Sequence, residues 1–190
     1  MKTIAISIKI FLLLTILTGV IYPLLVTGFA QLFFPGKANG SLIIKDQQIV
    51  GSELIGQQSD SAIYFSTRPS FVSYNPLPSG GSNYGLTNKK LKALVDSRKK
   101  QFTAFNQLDS LSFVPSEMVF ASASGLDPHI SPEAALLQVD RVARARNFTA
   151  DQKQQLLRSV KDLTEPPQLL ILGNERINVL LLNLNTDKIR

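Results

Sequence analysis

Apolar residues are spread unevenly along the chain. From Ile10 to Phe34 there are 25 consecutive residues without a charge, most of them apolar. As a helix this run would be about 37 Å long, enough to cross a hydrocarbon core of about 30 Å with some tilt. Pro23 sits inside it, where a membrane-spanning helix tolerates a kink. A cleavable signal peptide is the rival reading, with Lys2 and Lys9 as its basic start and Gly28-Phe29-Ala30 as a small-x-small cleavage site. The run exceeds the roughly 7–15 apolar residues of such a peptide and continues through Leu32, Phe33 and Phe34. A retained anchor is therefore expected. The α-amino group, Lys2 and Lys9 precede the span, whereas Lys37 and Lys45 follow it among Asp46 and Glu53. That bias predicts a cytoplasmic N-terminus and an outward-facing remainder.

Beyond Pro35-Gly36 the pattern shortens. Ser41–Ile44 and Gln47–Val50 alternate as a hairpin turning at Lys45-Asp46. Residues 59–88 are rich in Ser, Pro, Gly and Asn but carry five aromatics, which predicts an ordered, packed loop rather than a free linker. Helical periodicity follows through Leu91, Leu94, Val95, Phe102, Phe105 and Leu108, with Thr87 or Asn88 as cap. Ser131-Pro132-Glu133 predicts a helix start, running to about Asn147. Thr149 with Gln152 is a capping box for a further helix to about Leu163, stopped by Glu165-Pro166-Pro167. Leu169–Leu172, a Gly173-Asn174 turn and Ile177–Leu184 read as a C-terminal hairpin. The expected architecture is α+β: an N-terminal cytoplasmic tip and transmembrane helix over residues 1–36, then a single soluble domain over 37–190. That domain should hold about three helices and two β-hairpins.

Composition narrows the chemistry. The 190 residues include no cysteine, one histidine and no tryptophan. Disulfides, thiolate metal sites and a cysteine nucleophile are excluded. A hydrophobic fraction of 44% against 18% charged excludes intrinsic disorder. Of the net charge of +6, two come from Lys2 and Lys9, which leaves a mild excess over the remainder. Its densest group, Lys89, Lys90, Lys92, Arg98, Lys99 and Lys100, reads as a solvated helix face, so no nucleic-acid partner is expected.

Four stretches carry candidate chemistry. Ser79-Gly80-Gly81-Ser82-Asn83 could form an amide nest for phosphate, but lacks the Lys-Ser/Thr of a phosphate-binding loop. A tight turn is the plainer reading. Ser124, Asp127 and His129 contain the residue types of a hydrolytic triad, yet neighbours on one loop seldom reach its geometry. Asp127 and Ser131 suit the satisfaction of loop and helix-start amides instead. Tyr64 and Arg68 predict a cation–π contact or a partner contact. Gln138, one turn before Arg141, has an amide that both donates and accepts, but alone it ranks as helix-surface filler. No catalytic residue and no metal site is expected.

Several segments, spread in order over the whole chain, together resemble the C-subunit family of the Kdp potassium-transporting P-type ATPases. They are Tyr22-Pro23-Leu24-Leu25, Ala38–Leu42, Gly51-Ser52-x-Leu54-Ile55-Gly56-Gln57, Tyr64-Phe65-x-x-Arg68-Pro69-Ser70, Ser79–Asn83, Ala121–Asp127, Gln138-Val139-x-Arg141-Val142-Ala143 and Ile177–Asn183. The resemblance implies a non-catalytic subunit of an ATP-driven potassium importer in a bacterial or archaeal plasma (inner) membrane. Its implied partners are a channel-like subunit that selects K⁺, a P-type ATPase subunit bearing the hydrolytic site, a small lipid-like subunit, and membrane lipid. It further implies a catalytic chaperone that raises the ATPase subunit's affinity for ATP. No cofactor is permanently bound, and ATP is shared at most with that subunit. Gln138 matches a glutamine proposed to contact nucleotide, and Ser79–Asn83 resemble a nucleotide-binding signature. Asp127-Pro128-His129 departs from relatives that have polar residues there. Direct ATP contact requires a cytoplasmic domain, whereas the charge bias places it outside. Two readings from other classes remain: an anchored extracytoplasmic binding module using the aromatic loop of residues 64–84, and a hydrolase using Ser124 and His129.

Overall fold

The computed structural model describes residues 2–189. It is α+β, with one N-terminal apolar helix, further helices and two small antiparallel sheets. The chain divides into two compact units, one ending at Ser52 and the other beginning at Glu53.

In the first unit, α1 is a continuous helix over Lys2–Phe33, long and apolar enough to cross a membrane. Within it, Leu17–Ile21 widens into a π-helical turn, closed by the Tyr22 N–H donating to the Leu17 carbonyl. Pro23 explains the widening. Its ring cannot donate and would collide with the carbonyl four residues earlier, and a wider turn relieves both problems without breaking the helix. Ser7 and Thr18 donate their hydroxyls to carbonyls four residues back, at 2.9 and 2.7 Å, so neither brings an unpaired donor into the span. A single turn, α2 (Pro35–Ala38), follows, and then β1 (Leu42–Lys45) pairs antiparallel with β2 (Gln48–Ser52). The hairpin is as expected, but Asp46 and Gln47, at φ 51° and 63°, make the turn, one residue later than the composition suggests. Two successive positive φ values match the right-handed twist of the strands.

In the second unit, α3 (Lys89–Asn106) is capped by Asn88, whose Oδ1 accepts from the Lys90 N–H at 2.8 Å. A 3₁₀ turn at Ser116–Met118 leads to β3 (His129–Ile130). Then α4 (Pro132–Ala145) starts at Ser131, and α5 (Ala150–Asp162) carries the complete capping box of Thr149 and Gln152. The expected C-terminal hairpin is different. β4 (Ile177–Asn178) pairs with β3, and Val179–Thr186 is a fourth helix of this unit, α6, instead of a strand. Asn178 accepts from the Leu180 and Leu181 N–H groups, which starts a helix where the run of leucines suggested a strand. Buried Val179, Leu182, Asn183 and Thr186 repeat at helical spacing. Bridges at Glu165–Arg176 and Gln168–Leu172 close the intervening arm, whose tip at Leu169–Leu172 is exposed.

The core gathers Val139 and Val142 from α4, Leu156 and Val160 from α5, Leu182 from α6, and Phe65, Phe102, Met118 and Ile177. Of the five aromatics in residues 59–88, Phe65 is fully buried, Tyr64, Tyr74 and Tyr84 are half-buried and Phe71 is exposed, so the expected packing holds around Phe65 and is partial elsewhere.

Candidate functional site: a clamped extended segment and its two clefts

The segment Ser61–Arg68 belongs to neither sheet, yet its backbone is held like a strand. Side chains replace the neighbouring strand. Two carboxamides from different helices each exchange a pair of hydrogen bonds with consecutive residues. Asn183 of α6 accepts from the Phe65 N–H at 2.7 Å and donates to the Phe65 carbonyl at 3.0 Å. Gln138 of α4 accepts from the Ser66 N–H at 2.8 Å and donates to the Ser66 carbonyl at 3.3 Å. Two guanidinium groups complete the clamp. Arg141 donates to the carbonyls of Ala62 at 2.7 Å and Tyr64 at 2.9 Å, and Arg146 to that of Ile63 at 2.7 Å. Every carbonyl from Ala62 to Ser66 therefore accepts from a side chain.

Helical spacing explains why α4 can do this. Gln138 lies three residues after Ala135 and four before Val142, on the buried stripe. It is not a surface residue: its exposure is 0%. Its Nε2 also donates to the Ala134 carbonyl at 3.2 Å, and its Oε1 accepts from Arg141 Nη2 at 2.9 Å. Both donors and both acceptor positions are used inside the fold. Arg141 is 4% exposed; its Nε donates to Asn106 Oδ1 at 2.9 Å, and its guanidinium lies 4.3 Å from the Phe105 ring centroid. Burial lowers its pKa to about 10. Its partners are carbonyl and amide oxygens, which spread the positive charge over several dipoles.

The expected pairing of Tyr64 with Arg68 is replaced by two others. Arg146 lies 5.0 Å from the Tyr64 ring centroid and pairs with Asp187 at 2.8 Å. Arg68 turns to Asp127, with 2.7 Å between Nη1 and Oδ2. Asp127 Oδ1 accepts from the His129 N–H at 3.0 Å and faces His129 Nδ1 at 3.3 Å. Burial would raise the Asp127 carboxyl, but the His129 hydrogen bonds and the Arg68 guanidinium outweigh it and hold the group at about 2. Asp127 is thus a fixed anion. The Ser124 hydroxyl accepts from the Leu126 N–H at 3.1 Å, so it serves its own loop. Ser131 caps α4 through the Ala134 N–H at 3.1 Å, as expected.

The Ser79–Asn83 stretch packs against residues 122–125. The Gly80 N–H donates to the Ser124 carbonyl at 2.9 Å, which takes it out of any anion-binding nest. A side chain at Gly81 would meet the Ala123 carbonyl at 3.3 Å, so the glycine permits close backbone approach. The basic face of α3 is exposed except at Arg98, which donates to the Val119 carbonyl at 3.1 Å. Burial lowers the Arg98 pKa, and the nearby Tyr74 partly opposes this.

Two clefts meet the C-terminal end of the clamped segment, one at Ser66 and Thr67 and the other at Arg68. One, of about 790 Å³, is lined by Ser66, Thr67, Tyr74, Arg98, Phe102 and Phe105 among others. The second, of about 580 Å³, contains Arg68, Glu117, Asp127, His129 and Arg176. Gln138 and Arg141 line neither, although Gln138 fixes the backbone of Ser66, which borders the first. Among the described residues no three His, Asp or Glu side chains are grouped to hold a metal ion.

Comparison with known proteins decides the family. The model of the family KdpC, described as the K⁺-transporting ATPase c chain, matches residues 4–188. The chain belongs to the KdpC family. It is similar to the potassium-transporting ATPase KdpC subunit of Leptospira interrogans, with 44% identity over 98% of this chain and 94% of the relative. The KdpC subunit of Polynucleobacter asymbioticus is 48% identical over 94% of each chain, and that of Photorhabdus laumondii 48% identical over 96% of this chain and 94% of the relative. Sequence reasoning reached the KdpC family but assigned no role to Asn183, Asn106 or Arg146. Asn183 could have been found, because it falls four residues after Val179 and three before Thr186, at helical spacing.

Proposed function

We propose that the chain is the non-catalytic, single-span subunit of an ATP-driven potassium importer. In this reading it assembles with a channel-like subunit, a P-type ATPase subunit and a small lipid-like subunit. It raises the ATPase subunit's affinity for ATP indirectly, with the soluble unit on the outer face of the membrane. The observation that carries the indirect route is the engagement of Gln138, whose amide is fully buried and has all its hydrogen bonds inside the fold. A nucleotide would have to break those bonds to reach it. The charge at the span supports the outward placement, since Lys2 and Lys9 precede the uncharged run. Similarity to potassium-transporting ATPase KdpC subunits supports the transport assignment.

On this account the span transmits the effect. Helices associate in lipid by close van der Waals fit, so the identity of α1 matters beyond its hydrophobicity. A chimera in which residues 1–34 are replaced by an unrelated membrane anchor should lose association with the partner subunits in detergent and should require more ATP for half-maximal hydrolysis. A chimera with full assembly and unchanged ATP dependence would show that the span carries neither role.

A further inference from the structure

The hairpin after α1 has an apolar face that the chain leaves exposed. Leu42 and Ile44 alternate onto one side of β1, and Ile49 stands opposite Ile44 on β2. Their exposures are 49%, 66% and 64%. Lys45 and Gln48, themselves paired, point to the other side. A two-stranded hairpin is marginally stable in water without a further surface to pack against. Something should therefore cover this face.

The surroundings of the hairpin indicate what that is. It is not joined to α1 by a free tether. The side chains of Gln31, near the end of α1, and Asn39 exchange two hydrogen bonds of 3.2 Å each. Asn39 Nδ2 also donates to the Pro35 carbonyl at 2.8 Å, and the Ser41 N–H to that of Gly36 at 2.9 Å. Ser52, at the end of β2, donates its hydroxyl to the Gly40 carbonyl at 2.7 Å. These bonds lock the end of α1, the turn α2 and both ends of the hairpin into one unit. At that end of α1, Phe29 packs on Phe33 and Phe34, with ring centroids 4.4 and 6.5 Å apart, and Lys37 follows. Aromatic residues followed by lysine mark the level where hydrocarbon gives way to headgroups. The hairpin is thus fixed beside the place where α1 leaves the bilayer.

We propose that the Leu42, Ile44 and Ile49 face rests in the headgroup–acyl boundary of the phospholipid bilayer, as an interfacial foot of the membrane span. The inference rests on reading α1 as that span. The outer edges of the two strands need water or headgroups for their backbone groups, which keeps the foot at the interface and out of the hydrocarbon core. Lys37 and Lys45 suit the phosphate level, while Asp46 offsets one of them, so burial of the three aliphatic side chains is the main attraction. The foot would set the tilt and rotation of α1, which a single apolar helix cannot fix alone.

The full-length chain contains no cysteine, so single cysteines can report position directly. Ile44→Cys, Ile49→Cys, Gln48→Cys and Ile21→Cys are labelled with a polarity-sensitive thiol fluorophore and placed in phosphatidylcholine vesicles. Quenching is measured with lipids nitroxide-labelled at shallow or deep acyl positions and with aqueous iodide. Shallow nitroxide should quench the probes at 44 and 49 about twofold or more above the probe at 48, with the order reversed for iodide. The probe at 21 should respond to deep nitroxide. Quenching at 21 with equal iodide access at 44, 48 and 49 would overturn the foot alone. Loss of deep quenching at 21 would overturn the span and the foot together.

Discussion

Replacing Gln138 by alanine should act first on the fold and only then on the pump. The substitution removes the acceptor of the Ser66 N–H and of Arg141 Nη2, and the donor of the Ser66 and Ala134 carbonyls. All of these lie in or beside a site with 0% exposure at Gln138, so water cannot simply take over. Abandoning one buried donor costs about 1–3 kcal/mol, more when the donor is charged. The two donors share one oxygen and their losses overlap, so a total of about 3–5 kcal/mol is expected, including the small cavity. For a chain of this length that is a fall in Tm of roughly 10 °C. Gln138→Met, which nearly keeps the volume, should recover only the cavity share. The assay is thermal unfolding of the full-length chain in detergent, followed by near-ultraviolet circular dichroism so that α1 does not dominate. Hydrogen exchange at the Phe65 and Ser66 amides supplies the local readout and should accelerate. If Tm and exchange stay unchanged while the assembled pump needs more ATP, Gln138 is a nucleotide ligand and the clamp argument fails.

Asp127 should give stability a distinctive pH dependence. Its folded pKa of about 2 lies below the usual 3.8, so its stabilisation is complete above 3.8 and lost as pH falls through about 2. Asp127→Asn should unfold at a lower temperature than the parent at neutral pH, and the two curves should converge in acid; parallel curves would contradict the assignment. Gly56→Ala places a methyl 2.7 Å from the Asp127 carbonyl oxygen and should destabilise by about 1–3 kcal/mol, read as a lower unfolding midpoint. Thr149→Ala should cost about 1 kcal/mol through loss of the α5 cap, with faster exchange confined to the first turn of that helix.

Local signals were legible where one residue type satisfies one backbone need. Asn88, Ser131 and Thr149 each precede a helix that begins where they indicate, because capping is decided within four residues. The β3–β4 pairing was not legible. It joins His129–Ile130 to Ile177–Asn178 by two residues on each side, too short for any periodicity and set by packing between distant segments. The leucine-rich run at 179–184 reads as a strand from its apolar residues but is helical, because Asn178 caps it. The site shows the same division. Gln138 read alone as helix-surface filler and drew notice, with Arg141, only through the family resemblance, because their partners at 61–66 are more than 70 residues away. Nothing local indicates that an aromatic segment will be held by side chains instead of by a strand. Arg68 was paired with the wrong neighbour for that reason, since Asp127 reaches it only through the fold.

The side of the membrane on which the second unit lies decides whether it can act on ATP hydrolysis only from a distance. Ser110 lies on an exposed loop after α3, and no native cysteine competes for label. With Ser110→Cys in the assembled complex, a thiol reagent that cannot cross membranes should label the chain in intact spheroplasts. Labelling that appears only after the membrane is opened would place the unit in the cytoplasm, contradict the indirect route and return the nucleotide to direct reach.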